Sequence, residues 1–478
     1  MSVQYPELSL FIDGKQLSVE GRQSEQVVNP ATEEVIGVLP HADAADLDHA
    51  LAVTQEGFAQ WRATPPDERS RILKKAADII RARADELAEI ASMESGKVFH
   101  GAKIEALMSA GIFEWYGEEG RRAYGRVLRQ AAPGTRMYVV KEPVGPVAAF
   151  APWNFPLGNP ARKFGAALGA GCSCILKPAE ETPASALLTA QILVEAGVPE
   201  KAIAVVFGVP AQVSSHLIAS PTIRKISFTG SIPVGKQLMK LAADGMKRTT
   251  MELGGHAPVL VFDDVDVDAV LDLAVAAKFR GCGQVCISPT RFYVHEKIHG
   301  KFVEGFTERT KKLKIGDPVD KSVQVGPMIH ARRVDAIEAL VKEARESGGK
   351  INTGGTRIDG KGYFHQPTVL SNVPESARIM AEEPFGPVAI INSFSDFDEV
   401  IALANKLPYG LAAYAFTDSA KRVKLLGERL ESGMVGLNTF QISVPASPFG
   451  GVKESGHGSE EGIEGLEACL VTKFIHEG

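Results

Sequence analysis

Three short stretches of this 478-residue chain carry residue types suited to acyl chemistry on a thiol. In Lys278–Phe292, KFRGCGQVCISPTRF, Cys286 sits in a tight connection between a helical stretch and an apolar run, where a thiolate can be presented to a substrate. Pro152-Trp153-Asn154-Phe155-Pro156 holds the uncharged amide of Asn154 between prolines, suited to stabilising a developing oxyanion. Met251-Glu252-Leu253-Gly254-Gly255 puts a carboxylate at a strand end, where it can act as general base for an attacking water. A fourth stretch, from Gly230-Ser231 to Gly235, opens a helix directly after a strand, so its backbone N–H groups can hold a phosphate. Singly, each has a plainer explanation in core packing, a turn, a solvated strand end or an ordinary strand-to-helix connection without the G-x-G-x-x-G spacing. Together they supply a nucleophile, an oxyanion donor, a base and an anion cradle.

These residues need elements to position them. From 144 to 252 apolar strands (VGPVAAFAPW, CSCILKP, AIAVVFG, KISFTG, TTMELGG) alternate with helical stretches, which predicts parallel βαβ units in a doubly wound sheet with ligands at the strands' carboxyl ends. A second alternating region, 253–450, is expected to be another α/β domain; in it Asp266 starts a helix ending near Phe279, ahead of the Cys286 connection and a strand at Arg291–Val294. Residues 1–120, with a helical pattern from Ala44 to about Glu119, are assigned with 143–252 to the first domain. The stretch 121–142 reads as a protruding hairpin and the last residues as a further strand, so 121–142 and 451–478 are expected to form a small β element pairing between subunits.

Other signals are weaker. His295-Glu296-Lys297-Ile298-His299 matches the H-E-x-x-H zinc motif, which works only on a continuous helix. His295 directly follows the strand-like RFYV, and the apolar spacing starts a helix only near Lys297, so no metal is expected there. The acidic run Asp263–Asp268 lacks a calcium loop's glycine and is better explained by helix capping. A net charge of -6 and the absence of a long Lys/Arg cluster argue against nucleic acid or an anionic membrane as partner. The start has no leader-like pattern, no window approaches roughly 18 uninterrupted apolar residues, and five scattered cysteines do not make a disulfide framework. A cytoplasmic protein is expected.

The order of motifs resembles the NAD(P)-dependent aldehyde dehydrogenase superfamily over essentially the whole chain: PWNFP at 152–156, KPAE at 177–180, FTGSIPVG at 228–235, MELGG at 251–255, GQVC at 283–286, EEPFGPV at 382–388 and PFGGVKESG at 448–456. The resemblance implies a dinucleotide-binding domain, a catalytic domain and an oligomerisation sheet, in a homodimer or homotetramer. It implies that Cys286 attacks the aldehyde, that the Asn154 amide and the Cys286 N–H hold the oxyanion, and that Glu252 activates water against the thioester. For the cofactor it implies Trp153, Lys177, Glu180, Gly230, Ser231, Glu383 and Phe385, with NAD preferred and NADP usable. Arg162, Arg280 and Ser443 stand where succinate-semialdehyde dehydrogenases bind the far carboxylate, so a semialdehyde acid, succinate semialdehyde first, is the expected substrate; 2-oxoglutarate semialdehyde and a broad aldehyde range are the alternatives. Gly281 departs from the family's frequent Asn five residues before the cysteine, which puts the stiffness of that loop in question. Cys282 would be a redox partner for Cys286 only if the loop were helical.

Overall fold

The computed structural model describes residues 3–478, arranged as two α/β units, a three-stranded sheet and a small hairpin. The first unit is built on β1 (Val147–Phe150), β2 (Cys174–Lys177), β3 (Ile203–Val205), β4 (Lys225–Thr229) and β5 (Arg248–Glu252), all parallel, in spatial order β5-β4-β1-β2-β3. Every residue of β1, β2 and β3 is buried, which is why these strands read as unbroken apolar runs: helices cover both faces. The order reverses between β1 and β4, so the loops leaving those neighbours diverge and open a crevice. Into that crevice the chain delivers PWNFP after β1, Gly230-Ser231 after β4 and Glu252 at the end of β5. Leu10–Ile12 and Lys15–Leu17 extend the sheet antiparallel beyond β3, and Gly456–His457 pairs antiparallel with β5.

The second unit is a seven-stranded sheet in the order Lys350–Thr353, Thr368–Ser371, Val388–Phe394, Pro289–His295, Ala257–Val261, Ala412–Phe416 and Met434–Leu437. It has its own apolar core, separate from that of the first unit. Asp266 caps the helix Val267–Phe279 by accepting from the Asp268 and Ala269 N–H groups at 3.0 and 3.3 Å, as its position in the sequence predicts. The H-E-x-x-H stretch is split as expected: His295 ends a strand and caps the helix Glu296–Lys311, on which only His299 of the two histidines lies.

Arg126–Leu128, Arg136–Pro143 and Leu470–Glu477 make the third sheet, with the last two paired from Leu470↔Pro143 to Glu477↔Arg136. Its stabilising partners are thus far apart in sequence, and its faces carry exposed Val127 and Phe474. The expected element 451–478 is too broad, however. Gly456–His457 joins the first unit's sheet, the helix Gly462–Glu467 packs on Gly158–Ala170, and Leu466 and Cys469 are buried in the first unit's core, so 451–469 is body and only the last strand protrudes. Among the described residues no helix is long and apolar enough to cross a membrane.

The nucleophile loop has an unusual backbone. Gly281, Cys282 and Gly283 lie consecutively in the left-handed region, at φ 56°, 55° and 69°. Glycine adopts that region freely and asparagine is the next most tolerant residue, so Gly281 in place of Asn preserves the turn. A Cβ on Gly283 would lie 2.1 Å from the Gly386 carbonyl oxygen, so the loop lies close against the segment carrying Glu383 and Phe385. Gly281→Asn is expected to keep thermal stability and turnover within about twofold, whereas Gly281→Val should cost about 1–2 kcal/mol and lower kcat. Thermal melts and steady-state rates check this; equal behaviour of the two variants would show that the loop is not held in this conformation.

Candidate active site

The carboxyl ends of the first sheet face the Cys286 loop across a cavity of about 450 Å³. Cys286, Glu252 and Asn154 all line it, together with Trp153, Gly230, Ser231, Glu383 and Phe385 from the expected cofactor set and Arg162 from the expected substrate set. Motifs more than two hundred residues apart thus share one space.

Asn154 is buried, and its Nδ2 donates to the Gln284 carbonyl oxygen at 3.1 Å, two residues before Cys286. Gln284 is fixed in turn, its Oε1 accepting from the Ile329 N–H at 3.1 Å. The loop bearing Asn154 is braced from behind by a buried Lys97–Glu105 ion pair. Glu105 accepts from the N–H groups of Leu157 and Gly158 at 2.9 and 3.0 Å, and the Lys97 ammonium sits 3.8 Å from the centre of the Phe155 ring. A carboxylate at that helix start satisfies N–H groups that have no intrahelical partner.

The electrostatics keep the reacting groups neutral at rest. Burial pushes the Cys286 thiol up to about 12; Arg162 pulls it down, while Glu383 and Glu252 push it further up. Glu252 is buried with both carboxylate oxygens lacking hydrogen-bond partners, and this desolvation raises its pKa well above the carboxylate range. Glu460 adds to the rise, and Lys163 and Arg162 oppose it. Burial likewise pushes Glu383 up to about 8, against the pull of the Gly255 N–H, Arg333 and Lys278. Cys282 stands apart: it is buried in the catalytic unit's core and has its own thiol pushed up to about 12 by burial, whereas Cys286 opens to the cavity. That placement gives no support to the redox pairing.

The first turn of the helix Ile232–Asp244 begins at the cavity wall, with Ser231 at its cap position and no side chain occupying its free N–H groups. Trp153 and Phe385 meet edge to face with ring centres 5.5 Å apart. Arg333 holds the second ring in place by donating to the Phe385 carbonyl oxygen at 3.2 Å. Lys177 and Glu180 lie beyond the cavity at the end of β2, where they pair with each other. A switch-point crevice, a helix start open to an anion and an acidic residue one strand away together fit a dinucleotide.

The three expected carboxylate ligands are not placed alike. Arg162 lines the cavity but is not a free cation: its Nε donates to Glu461 at 2.9 Å and its Nη2 to the Ser443 hydroxyl at 3.1 Å. Burial works to lower its pKa, and Glu461 and Glu460 reverse this to a net rise. Arg280 is exposed, forms no ion pair among the described residues and is not part of the cavity wall. Burial raises the pKa of Tyr414, a rise that Arg280 opposes, and the Tyr414 hydroxyl donates at 2.7 Å to the Ile287 carbonyl next to Cys286. Of the two arginines expected at the far carboxylate, Arg162 is thus paired at the cavity wall and Arg280 faces solvent outside it.

Sequence reasoning missed Lys163, Glu460 and Glu461. Lys163 Nζ donates to Ser227 and Thr229 at 3.1 and 2.7 Å and pairs with Glu460, while Arg162 beside it pairs with Glu461. The signal was there as two adjacent cations in NPARKFG and two adjacent acids in GSEEG, but nothing local says that they meet.

The model of the aldehyde dehydrogenase family matches residues 18–475, and the chain belongs to that family. It is an NAD(P)-dependent aldehyde dehydrogenase. A 4-(hydroxymethyl)benzenesulfonate dehydrogenase of Comamonas testosteroni is 47% identical over 458 residues, covering 95% of each chain. The NADP(+) succinate-semialdehyde dehydrogenase of Escherichia coli is 40% identical, covering 97% of this chain and 96% of its own. Among solved structures, a succinate-semialdehyde dehydrogenase from Burkholderia pseudomallei superposes with a TM-score of 0.97 at 39% identity, over 100% of this chain and 99% of the other.

The raised pKa of Glu252 has two measurable consequences. As general base for the water that attacks the thioester it must be ionised, so kcat should climb as pH rises above the ordinary carboxylate range; a profile already flat just above that range would count against a buried base. Because its pKa is higher in the folded than in the unfolded state, the folded protein holds the extra proton and loses stability as pH rises above the ordinary carboxylate range. Glu252→Gln is therefore expected to slow turnover yet to gain in Tm relative to the parent, by more at pH 8 than at pH 5.5; thermal melts at the two values measure it.

Proposed function

We propose that this enzyme oxidises a small aldehyde bearing a distal anionic group, with succinate semialdehyde as the first candidate. The observation that carries the reaction is the convergence of Cys286, Asn154 and Glu252 on one cavity. In this reading the Cys286 thiol passes its proton to the ionised Glu252 carboxylate, from which it leaves to solvent, as Sγ attacks the carbonyl carbon and forms a thiohemiacetal oxyanion. One N–H of the Asn154 amide is taken by Gln284; the other, with the Cys286 backbone N–H, serves the oxyanion. Bound nicotinamide supplies the hydride acceptor. Glu252 then takes a proton from water as that water attacks the thioester, releasing the acid and the thiol.

Ser231 and the helix behind it are the pyrophosphate site, Glu383, Phe385, Trp153 and Gly230 the nicotinamide end, and Lys177 with Glu180 the adenosine ribose site. The Glu180 carboxylate favours a free 2′-hydroxyl over a 2′-phosphate, which supports NAD as the preferred cofactor. Its pairing with Lys177 offsets part of that repulsion and leaves NADP usable. The substrate reading is supported by relatives whose names share a distal anion, succinate and glutarate semialdehydes among them, and by Arg162 in the wall of the cavity that holds Cys286, with Ser443 against it. A second reading, an aromatic aldehyde with a sulfonate, is favoured by the 47% identity to the benzenesulfonate enzyme and by Phe155 and Phe449 in the cavity wall. The exposed Val127 and Phe474 on the third sheet support a homodimer or homotetramer, and five free cysteines suit the cytoplasm.

The test is NAD(P)H formation with succinate semialdehyde, glutarate semialdehyde, 2-oxoglutarate semialdehyde, 4-formylbenzenesulfonate and butanal. An acid is expected to give the highest kcat/KM; butanal ahead of every acid would overturn the substrate reading. Cys286→Ala should abolish turnover while NAD still binds. A higher kcat/KM with NADP than with NAD would refute the cofactor preference.

A further inference from the structure

Glu461 combines three features that are costly apart and purposeful together. Its backbone, at φ 57° and ψ -177°, lies at the edge of a region that is essentially reserved for glycine. It is fully buried, with none of its surface exposed. Its carboxylate is aimed at Arg162 in the cavity wall, 2.9 Å from Nε, and approaches the Ser443 hydroxyl that the same guanidinium contacts. The strained conformation is held by the surroundings: the Glu461 N–H donates to the Tyr116 hydroxyl oxygen at 2.9 Å, and its carbonyl accepts from the Gly465 N–H at 2.8 Å. Lys163 does not need this acid, because Glu460 already pairs with it. Strain kept at a functional site calls for a function.

An arginine recognises a carboxylate best when its fork is free to engage both oxygens. Here Nε and Nη2 are occupied, the charge is neutralised by a resident carboxylate, and the guanidinium stacks 4.2 Å from the centre of the Phe449 ring. A substrate anion arriving at this wall meets an acid already in place. We infer that Glu461 is a specificity-determining residue: it occupies Arg162 as an internal competitor and so sets how strongly the enzyme favours aldehydes with a distal carboxylate over neutral ones. This inference rests on the cavity being the substrate site, as proposed above.

Glu461→Gln removes the charge and keeps the shape, and Glu461→Gly removes the side chain at a backbone conformation that suits glycine. In both, kcat/KM for succinate semialdehyde relative to butanal is expected to rise by at least about tenfold, through a lower KM for the acid, with butanal changing less than about threefold. The unreactive anion succinate should raise Tm more in both variants than in the parent, a readout that needs no catalysis. An unchanged ratio, or equal losses on both substrates, would show that Glu461 only braces Arg162. Loss of the fold in both variants would likewise mark it as a structural counter-ion and overturn the inference. Should the parent oxidise no aldehyde, the functional reading falls on its own, and the succinate shift still decides whether Glu461 competes for Arg162.

Discussion

The hydrogen bond from the Asn154 amide to the Gln284 carbonyl spans the two α/β units at the point where the chemistry must be assembled. Neither unit holds a complete site. The first contributes the ends of β1, β4 and β5, and the second contributes a loop whose direction is set by three successive left-handed residues. Each end of the bond is anchored in its own unit, by Glu105 and Lys97 on one side and by Gln284's contact with Ile329 on the other. Because the bond is buried, breaking it would strand a donor and an acceptor away from water, so the two loops hold one another to a single separation.

Around that junction three buried cations are each paired with an acid. Arg162 with Glu461, Lys163 with Glu460 and Lys97 with Glu105 are each neutral overall, the condition under which buried ions are tolerated. Glu252 has no such partner, and its burial favours the protonated, neutral form. A thiol and a carboxyl kept neutral side by side are poorly reactive, which spares the cysteine from oxidation that a resting thiolate would invite. Reactivity then depends on what enters the cavity and changes its polarity.

Much of this was legible in the sequence, and the parts that were not share a physical cause. Strand-end motifs could be placed because apolar runs alternate with helical spacing and because ligands gather where parallel strands end. The capped start of the helix at Asp266 and the splitting of the H-E-x-x-H stretch followed from local rules alone. The pairing of Arg162 with Glu461 did not, since the two are 299 residues apart and an arginine's availability depends on what folds onto it. For the same reason the segment 451–469 was assigned to the protruding element: its burial is decided by Leu466 and Cys469 reaching a core laid down by residues far upstream. Gly281 put the stiffness of the loop in question, and the positive φ it occupies is one that glycine and asparagine share.

The strand Leu470–Glu477 closes a sheet begun by Arg136–Pro143, and Glu460 and Glu461 stand just ahead of it in the chain. On a ribosome, synthesis therefore delivers the nucleophile loop well before the acids that neutralise Arg162 and Lys163, and before the strand that completes the third sheet. Until that late stretch emerges, the nascent chain carries two unpaired cations on a helix destined for the interior and an open sheet edge at Arg136–Pro143. A chain that stopped upstream of Ser459 would lack both acids and the last strand, leaving the two cations uncompensated and the edge of Arg136–Pro143 unpaired.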